Sequence, residues 1–300
     1  MRDIPIVDAH QHFWDLGANR YPWLTDRPVR FRYGDYSAIC RDYSPDDYRR
    51  DTAAWNLIGS VHIEAESDPA DPVAETRWLH GLAESHGLPK AIVAQAWLDR
   101  DDAADVLRAQ AGFPLVRGVR HKPHAAVNQT DAVRGAKGSM DDPAWRRGYA
   151  LLAPNGLSFD LQTPYWHMPA AADLARDFPD TQIVINHTGL PADRSEQGLA
   201  DWRAAMETVA AQPNVALKIS GLGQPGRPWT VESNGPVVRD AISIFGADRC
   251  MFASNFPVDS LVADYDTIFG GFMEIVSDLP EQAVRALFHD NALIYYRIDL

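Results

Sequence analysis

The chain of 300 residues has little cysteine, no long apolar run and fewer basic than acidic residues. Its two cysteines, Cys40 and Cys250, lie far apart and outside any C-x-x-C spacing, which excludes a disulfide framework and a structural zinc ribbon. No stretch approaches ~18 uninterrupted apolar residues, so we expect no membrane span. The 28 basic against 41 acidic residues give a formal net charge of −13, which argues against a nucleic-acid surface.

The shortage of basic residues does not exclude an anionic small-molecule substrate, because a pocket can be locally positive in an acidic protein. Residues 1–5 lack the apolar region of a signal peptide, and we therefore expect a cytoplasmic protein. Hydrophobic residues make up 46% of the chain, enough for a folded domain with a sizeable core.

Short apolar runs rich in Val, Ile, Leu and Phe recur along the chain. Each run is nearly continuous rather than alternating, which is typical of strands buried on both faces of a parallel sheet. The eight runs are residues 4–9, 57–63, 91–97, 116–120, 157–161, 182–186, 215–219 and 250–253.

Longer segments with helical periodicity separate these runs, and several begin with an N-cap residue before proline, as in Ser44-Pro45, Asp71-Pro72 and Asp142-Pro143. Eight repeats of strand then helix, without a linker, predict an α/β fold, a (β/α)₈ TIM barrel in a single domain over residues 1–300. A doubly wound open sheet is the alternative, but no glycine-rich dinucleotide turn follows the first strand. The predicted helices are residues 45–56, 72–86, 101–111, 141–153, 169–177, 196–211, 233–245, 264–276 and 280–292.

Two connections are longer than ordinary loops, residues 13–44 after the first strand and 122–140 after the fourth. The first is dense in aromatic residues, which either pin the loop onto the barrel or form a lid over a pocket. These aromatic residues are Trp14, Tyr21, Trp23, Phe31, Tyr33 and Tyr36.

Polar side chains follow almost every predicted strand. Residues two apart in a strand point to the same face, so His10 and His12 leave the first strand side by side. Active sites of (β/α)₈ barrels lie at the carboxyl ends of the strands, and seven of the eight ends are polar here. The candidates that follow the later strands are Glu64, Arg120, His124, Asp160, His187, Lys218 and Asn255.

These residue types support hydrolysis or another proton transfer on a carbonyl compound. Histidines with a carboxylate can hold one divalent ion, zinc or manganese, which polarises a carbonyl or activates water. Without a metal, imidazoles and an arginine can polarise the carbonyl while a carboxylate or histidine serves as base. His187 is the strongest candidate after the first pair, and Arg120 suits capture of a substrate carboxylate.

Structural interpretations stand beside these functional ones. Glu64 and Asp160 are expected either to touch substrate or to be structural ion-pair partners of Lys218 and Arg120 inside the mouth of the barrel. Lys218 is expected either to bind substrate or to span the barrel interior, since lysine is rarely buried without a partner.

The strand ends resemble the amidohydrolase superfamily, and most closely its amidohydrolase-2, lactonase-like branch. The resemblance rests on the segments Asp8-Ala9-His10-Gln11-His12-Phe13-Trp14-Asp15, Val61-His62-Ile63-Glu64-Ala65-Glu66, Gly118-Val119-Arg120, Phe159-Asp160-Leu161, Asn186-His187-Thr188-Gly189, Lys218-Ile219-Ser220-Gly221, Ser254-Asn255-Phe256-Pro257 and Asn291-Ala292. It covers the whole chain in order and implies a (β/α)₈ barrel whose lactonase members need not depend on a metal.

Carried over by position, the resemblance implies that His10, His12 and His187 surround the substrate carbonyl, with or without one divalent ion. Two positions depart from the superfamily pattern. The chain offers Asp160 and Gln162 where a histidine often ends the fifth strand, which argues against a binuclear metal centre. Asn255 stands where an aspartate usually deprotonates the attacking water, and an amide cannot be a general base.

The base would then be Glu64, His187 or Asp259. We expect a hydrolase that opens a sugar-acid or carboxylated (pyrone- or muconolactone-like) lactone, with Arg120 on an acidic group of the substrate and Lys218 neutralising developing charge. The alternatives are a metal-dependent decarboxylase or amide hydrolase of the same superfamily, and a non-catalytic barrel that binds a small acid. The expected partner is an anionic small molecule, and barrels of this family often pair as homodimers.

Overall fold

Eight parallel strands form the centre of the protein, in a computed structural model that describes residues 3–26 and 28–300. Neighbours in the sheet follow the order of the sequence, and the first and last strand ends are joined by hydrogen bonds from Asn255 N–H to His10 O (2.8 Å) and from His12 N–H to Phe256 O (2.7 Å). The strands are β1 (Ile6–Gln11), β2 (Leu57–Ile63), β3 (Ala91–Gln95), β4 (Val116–Arg120), β5 (Ser158–Leu161), β6 (Ile183–Ile185), β7 (Val215–Ile219) and β8 (Cys250–Phe252).

Helices connect the strands, so the predicted (β/α)₈ barrel is confirmed, with strand boundaries that differ by at most two residues from the expected runs. None of the helices formed by the described residues is long and apolar enough to cross a membrane. The helices are α1 (Pro22–Thr25), α2 (Pro45–Asp51), α3 (Ala74–His86), α4 (Ala103–Ala111), α5 (Pro143–Tyr149), α6 (Met168–Asp177), α7 (Glu196–Ala210), α8 (Val231–Phe245), α9 (Tyr265–Ile275), α10 (Glu281–Arg285) and α11 (Asn291–Tyr295).

Helix starts follow their capping chemistry at two of the three predicted positions. Ser44 Oγ accepts from Asp47 N–H while the Asp47 carboxylate accepts from Ser44 N–H, which forms a capping box at α2. Asp142 accepts from the N–H two residues on and caps α5. The Asp71 prediction is wrong, because α3 begins only at Ala74 without a side-chain cap.

The last predicted helix, residues 280–292, is not one regular helix. A π-helical turn, Ala286–Asp290, joins α10 to α11, and the helical segment continues to Tyr295. Tyr296 directly follows α11 and is fully buried among the inward-facing residues of the strands.

Alternate strand residues face two separate apolar regions. Leu217 and Ile219 of β7 pack outward against the helices, whereas Ala216 packs inward with Val184 and Met251. Because side chains alternate across a strand, the residues beside these outward positions point into the barrel. This register places the polar residue of each strand end inside the mouth rather than under a helix.

The long connection after β1 forms an aromatic cluster over the barrel. The rings of Trp23 and Phe31 are stacked at 5.9 Å, and Tyr36 lies 4.9 Å from Phe31 and donates from its hydroxyl to Trp23 O (2.8 Å). Trp14 lies edge-on to Trp23 at 5.7 Å. The cluster anchors the loop on the barrel, as the structural interpretation predicts, and contributes three rings to the cavity described below.

Candidate active site

Two histidines from the end of β1 face each other in the mouth of the barrel. Their Nε2 atoms are 3.3 Å apart and their rings meet edge to face, with centroids 5.0 Å apart. The backbone that presents them is held by Asp8, whose carboxylate accepts from His10 N–H (3.1 Å) and Ser254 N–H (2.9 Å). The spacing of two residues therefore brings both imidazoles to one point.

The hydrogen bonds of His12 indicate its tautomer. His12 Nδ1 lies 2.7 Å from Ile63 O, and because a carbonyl oxygen only accepts, the proton belongs on Nδ1. Nε2 then carries the lone pair, and it lies 3.3 Å from both His10 Nε2 and Asn255 Oδ1. The mouth thus holds two acceptors side by side, an arrangement that suits a molecule with two protons to donate.

The orientation of the Asn255 amide is set by Asp259. Asn255 Nδ2 donates to Asp259 Oδ1 (2.6 Å), which turns Oδ1 of the amide towards His12. Asp259 also accepts from Arg32 Nη2 (3.1 Å) and from the hydroxyl of Tyr33 (3.0 Å), two residues of the long loop after β1. Asp259 is buried and its carboxylate is engaged, so it acts on the site through Asn255.

The third histidine, His187, follows β6 in a strained turn. His187 and Thr188 both have positive φ angles, 53° and 56°, which side chains other than glycine rarely adopt. The turn is held by hydrogen bonds between Thr188 Oγ1 and the backbone of Ser220, at 3.0 and 3.2 Å. It places His187 Nδ1 3.0 Å from Ser220 Oγ and the ring 4.6 Å from that of His10.

Burial lowers the pKa of all three imidazoles well below 6.5, and nearby cations lower it further. After burial, the largest contribution to the lowered pKa comes from Lys218 for His10, from Arg120 for His12 and from Arg32 for His187. At neutral pH the rings are therefore uncharged, and each has a lone pair that can accept a proton.

This lowering predicts the pH profile of any reaction that uses the neutral imidazoles. A histidine with a lowered pKa stays neutral as the pH falls below 6.5, and the active form is lost only when the pH passes the lowered pKa. We expect kcat/KM to be level through pH 6.5 and to decline only at lower pH, in a stopped-flow or pH-stat titration. An acid limb centred at or above 6.5 would contradict neutral, buried histidines.

Glu64 and Arg120, both predicted site residues, form a buried ion pair. Arg120 Nε donates to Glu64 Oε1 (2.6 Å) and Nη2 donates to Glu64 O (2.5 Å), while Nη1 donates to Gln162 Oε1 (3.1 Å). Glu64 Oε2 accepts from Glu66 N–H at 2.8 Å. Both carboxylate oxygens are thus occupied, which removes Glu64 as a base, and the Nε–Nη2 edge of Arg120 is closed to a substrate carboxylate.

Asp160 and Lys218 lie below the mouth and form a second buried ion pair. An ion pair was the alternative to substrate contact that the sequence left open for Asp160. Lys218 Nζ donates to Asp160 Oδ2 (2.6 Å), and both side chains are fully buried. The same carboxylate accepts from Asn186 Nδ2 (2.8 Å) and from the Tyr296 hydroxyl (3.0 Å). Neither residue reaches the cavity wall, so the expected substrate contacts are corrected to an internal ion pair.

The mouth of the barrel opens into a cavity of about 270 Å³, which we call the active-site cavity. Its wall carries His12, His187 and Asn255 together with four cationic side chains and one carboxylate. The charged lining residues are Arg30, Arg32, Arg120, Lys122 and Glu66, and the aromatic ones are Trp14, Trp23 and Phe31.

Two functional candidates were missed, and five of the nine predicted site residues do not line this cavity, namely His10, Glu64, Asp160, Lys218 and His124. His124 is exposed on the connection after β4, where its backbone N–H bonds to Gly138 O. Arg30 and Arg32 belong to the aromatic loop rather than to a strand end. The basic run of residues 27–32 within that loop was their only signal, and Arg27 lies outside the described residues.

The donor set does not fit a complete metal centre. Across residues 3–26 and 28–300, no group of three His, Cys, Asp or Glu side chains is placed to hold an ion. The 3.3 Å between the Nε2 atoms of His10 and His12 matches one edge of a tetrahedral site with bonds of ~2.0–2.1 Å. The next oxygen is the neutral amide of Asn255, and the third predicted ligand, His187, is turned towards Ser220.

The fold and this site define the class of protein, a (β/α)₈ barrel with a histidine cluster at the carboxyl ends of its strands. The model of the amidohydrolase family (Amidohydro_2) matches residues 7–298, and the chain therefore belongs to that family. This bears out the resemblance seen at the strand ends.

Several known proteins are similar over nearly their full length. The chain is 44% identical over 298 residues to the protein y4mH of Sinorhizobium fredii, covering 99% of this chain and all of that one. It is 29% identical to the L-fucono-1,5-lactonase of Burkholderia ambifaria, covering 98% and 96% of the two chains. A crystal structure of an amidohydrolase from Burkholderia multivorans with bound zinc superposes with a TM-score of 0.81 at 26% identity, covering 98% and 99%.

Proposed function

We propose that this protein is a lactonase, which opens the ring of a sugar-acid or carboxylated lactone by adding water to its carbonyl. The observation that carries the proposal is the neutral His12 Nε2 beside Asn255 Oδ1 on the wall of a cavity with a cationic rim. The similarity to L-fucono-1,5-lactonase supports a lactone as the substrate class.

In the proposed reaction a water molecule donates one proton to His12 Nε2 and the other to Asn255 Oδ1. His12 takes the first proton as the water oxygen bonds to the lactone carbonyl carbon, and Asn255 keeps the water in position without changing its protonation. The ring C–O bond then breaks, and His12 returns the proton to the leaving alkoxide. The product is the ring-opened hydroxy acid.

His187 stabilises the charge that develops on the carbonyl oxygen. In this reaction we assign the hydroxyl of Ser220, 3.0 Å from Nδ1, as the donor, which leaves the proton of the neutral ring on Nε2, and His187 lines the active-site cavity. A donor positioned in advance for a developing oxyanion contributes about 10²–10³ in rate in comparable sites. His187 is thus the donor and His12 the base.

A lactone panel tests the proposal. We expect the purified protein to open L-fucono-1,5-lactone, D-glucaro-1,4-lactone or 2-pyrone-4,6-dicarboxylate well above the spontaneous rate, measured with a pH indicator at low buffer strength. The assay is run on chelated protein and on protein supplied with zinc or manganese. Spontaneous rates for every lactone in all three states would overturn the proposal.

The proposed reaction needs no metal ion, and removal of metal by chelation tests this. Because the site offers two imidazoles and a neutral amide, we expect kcat/KM to change by less than about twofold after metal removal. Asn255→Asp adds the missing carboxylate and should bind zinc at least tenfold more tightly in calorimetric titration, since charged oxygen ligands favour the ion. Activity that disappears on chelation and returns with zinc would contradict the metal-independent mechanism.

The cationic rim predicts charge selectivity. Arg30 is exposed on the wall of the active-site cavity, so Arg30→Gln should raise KM for a carboxylated lactone about five- to tenfold, with kcat and the KM of a neutral lactone little changed. The effect should shrink at high salt, because exposed charges are screened. Arg77→Gln, at an exposed arginine of α3, is the matched control. Equal KM changes for both lactones would show that charge recognition lies elsewhere.

A further inference from the structure

A second cavity adjoins the active-site cavity, and the proposed reaction does not use it. Its volume is about 670 Å³ against about 270 Å³ for the active-site cavity. A small lactone fills a space of the lower size, since ligand pockets of drug-sized molecules span ~300–1,000 Å³. The two cavities share five lining residues, namely Trp23, Val29, Glu66, Arg120 and Lys122.

We propose that this second cavity is a distal subsite, which binds a neutral, hydroxylated ring carried by the lactone. The substrate class is therefore a glycosyl-substituted sugar-acid lactone, with its lactone ring at His12 and its glycosyl ring in the larger cavity. This inference rests on the proposed lactonase function and extends it. The residues that characterise the distal subsite are Trp23, Ser67, Gln95, Trp97 and His121.

Two indole rings supply the apolar part of the distal subsite. Trp23 is held by a hydrogen bond from Nε1 to Ala65 O (2.8 Å) and by its stacking on Phe31. The guanidinium of Arg100 lies 5.2 Å from the centre of the Trp97 ring and is itself bonded to Pro69 O (3.0 Å). Rings held in this way offer contact area at little entropic cost, and they suit the C–H faces of a sugar.

Fixed donors and acceptors line the same subsite as the two indoles. Ser67 Oγ donates to Gln95 Oε1 (2.7 Å), and Gln95 Nε2 donates to Ser67 O (3.2 Å), which leaves a second N–H of the amide available. His121 Nδ1 accepts from Leu98 N–H and from Trp145 Nε1–H, so its proton is on Nε2. Hydroxyl groups both donate and accept, and they match this mixture.

The charged residues of the two cavities indicate which part of the substrate each cavity binds. The active-site cavity has four cationic side chains against one carboxylate, whereas the distal subsite has Arg120 and Lys122 against three carboxylates. One of these, Asp26, is paired with Arg20, and another, Glu64, with Arg120. An acidic group therefore belongs in the active-site cavity, and the distal subsite takes an uncharged group.

Glu66 marks the boundary between the two cavities. Its φ of 57° is strained for a glutamate, and the turn is held by the hydrogen bond from Glu66 N–H to Glu64. The Glu66 side chain forms an ion pair with Lys122 on the wall that both cavities share. A substrate that extends along this ion pair can occupy the active-site cavity and the distal subsite together.

The test measures the binding of ring-opened acids, which needs no turnover. By isothermal titration we expect cellobionate to bind at least about tenfold more tightly than gluconate, which lacks only the 4-O-glucosyl ring. Trp97→Ala should reduce cellobionate affinity about tenfold and gluconate affinity much less. Trp78→Ala, a half-buried tryptophan of α3 that lines neither cavity, should change neither value.

Equal affinities for the two acids, or equal losses of both in Trp97→Ala, would overturn the distal subsite. Gln95→Leu serves as a second variant if circular dichroism shows that Trp97→Ala does not fold, with the same expected selectivity. The two proposals can fail separately. Selective cellobionate binding without opening of any lactone contradicts the lactonase function alone, whereas lactone opening without selective binding contradicts the distal subsite alone.

Discussion

The variant His12→Gln is expected to lower kcat/KM for lactone opening by about 10³, the middle of the range of about 10²–10⁴ for a positioned general base. The amide of glutamine is uncharged and polar like the neutral imidazole, but it has no lone pair basic enough to take a proton from water. The loss should fall on kcat with KM little changed, because the base acts in the transition state.

A matched control and a rescue distinguish a base from a structural residue. His124→Gln makes the same substitution at an exposed histidine outside the cavity and should leave kcat/KM unchanged. Added imidazole should restore part of the activity of His12→Gln, and the pH profile of that variant should lose its acid limb. Retention of more than a tenth of the wild-type activity, with the acid limb intact, would move the role of base to another group.

The fold could be predicted because each strand carries its own signal. The eight continuous apolar runs are buried on both faces, and that property is local and visible in sequence. The histidines at the mouth could be predicted for the same reason, since His10 and His12 follow from a period of two and His187 from the end of β6. The three histidines then meet because the carboxyl ends of all strands surround the mouth of one barrel.

The pairings inside the mouth could not be read from the sequence. Asp160, Lys218, Glu64 and Arg120 were all candidates for contact with substrate, and whether each reaches the cavity depends on how deep its strand position lies in the closed barrel. Ion pairs among these four residues were the alternative to substrate contact. Which carboxylate meets which cation, and how deep in the barrel, depends on the stagger of neighbouring strands. A single sequence does not show that stagger.

A hydrogen bond from Asn255 to Asp259 changes the role that we assign to Asn255. From sequence it is a missing general base, since an amide cannot take a proton. In the structure Asp259 fixes its amide, and its oxygen lies beside His12 Nε2. The pair can orient a water molecule that neither could hold alone, so the position keeps a role in the proposed reaction after the carboxylate is gone.

The second large effect is expected on stability, from Asp160→Asn. This change leaves the Lys218 ammonium fully buried without its counter-charge, and removing one partner of a buried ion pair costs about 3–5 kcal/mol. Urea unfolding should show the loss as a lower midpoint with an unchanged slope. Asp278→Asn, which breaks the exposed pair with Arg239 (51% and 63% exposed side chains), should cost less than about 1 kcal/mol.

The pH dependence and a double variant identify the buried charge as the cause. Burial lowers the pKa of Lys218 to about 8 even with Asp160 present, so the unfolded chain binds more protons between about 8 and 10.5, and stability rises with pH in that window. Without the Asp160 carboxylate the pKa of Lys218 falls further, so stability begins to rise at a lower pH in Asp160→Asn than in the wild type. The cost of Asp160→Asn should therefore shrink as the pH rises.

Asp160→Asn combined with Lys218→Met removes both charges and should be more stable than Asp160→Asn alone. A double variant as unstable as the sum of its parts would mean that the network stabilises by packing rather than by charge.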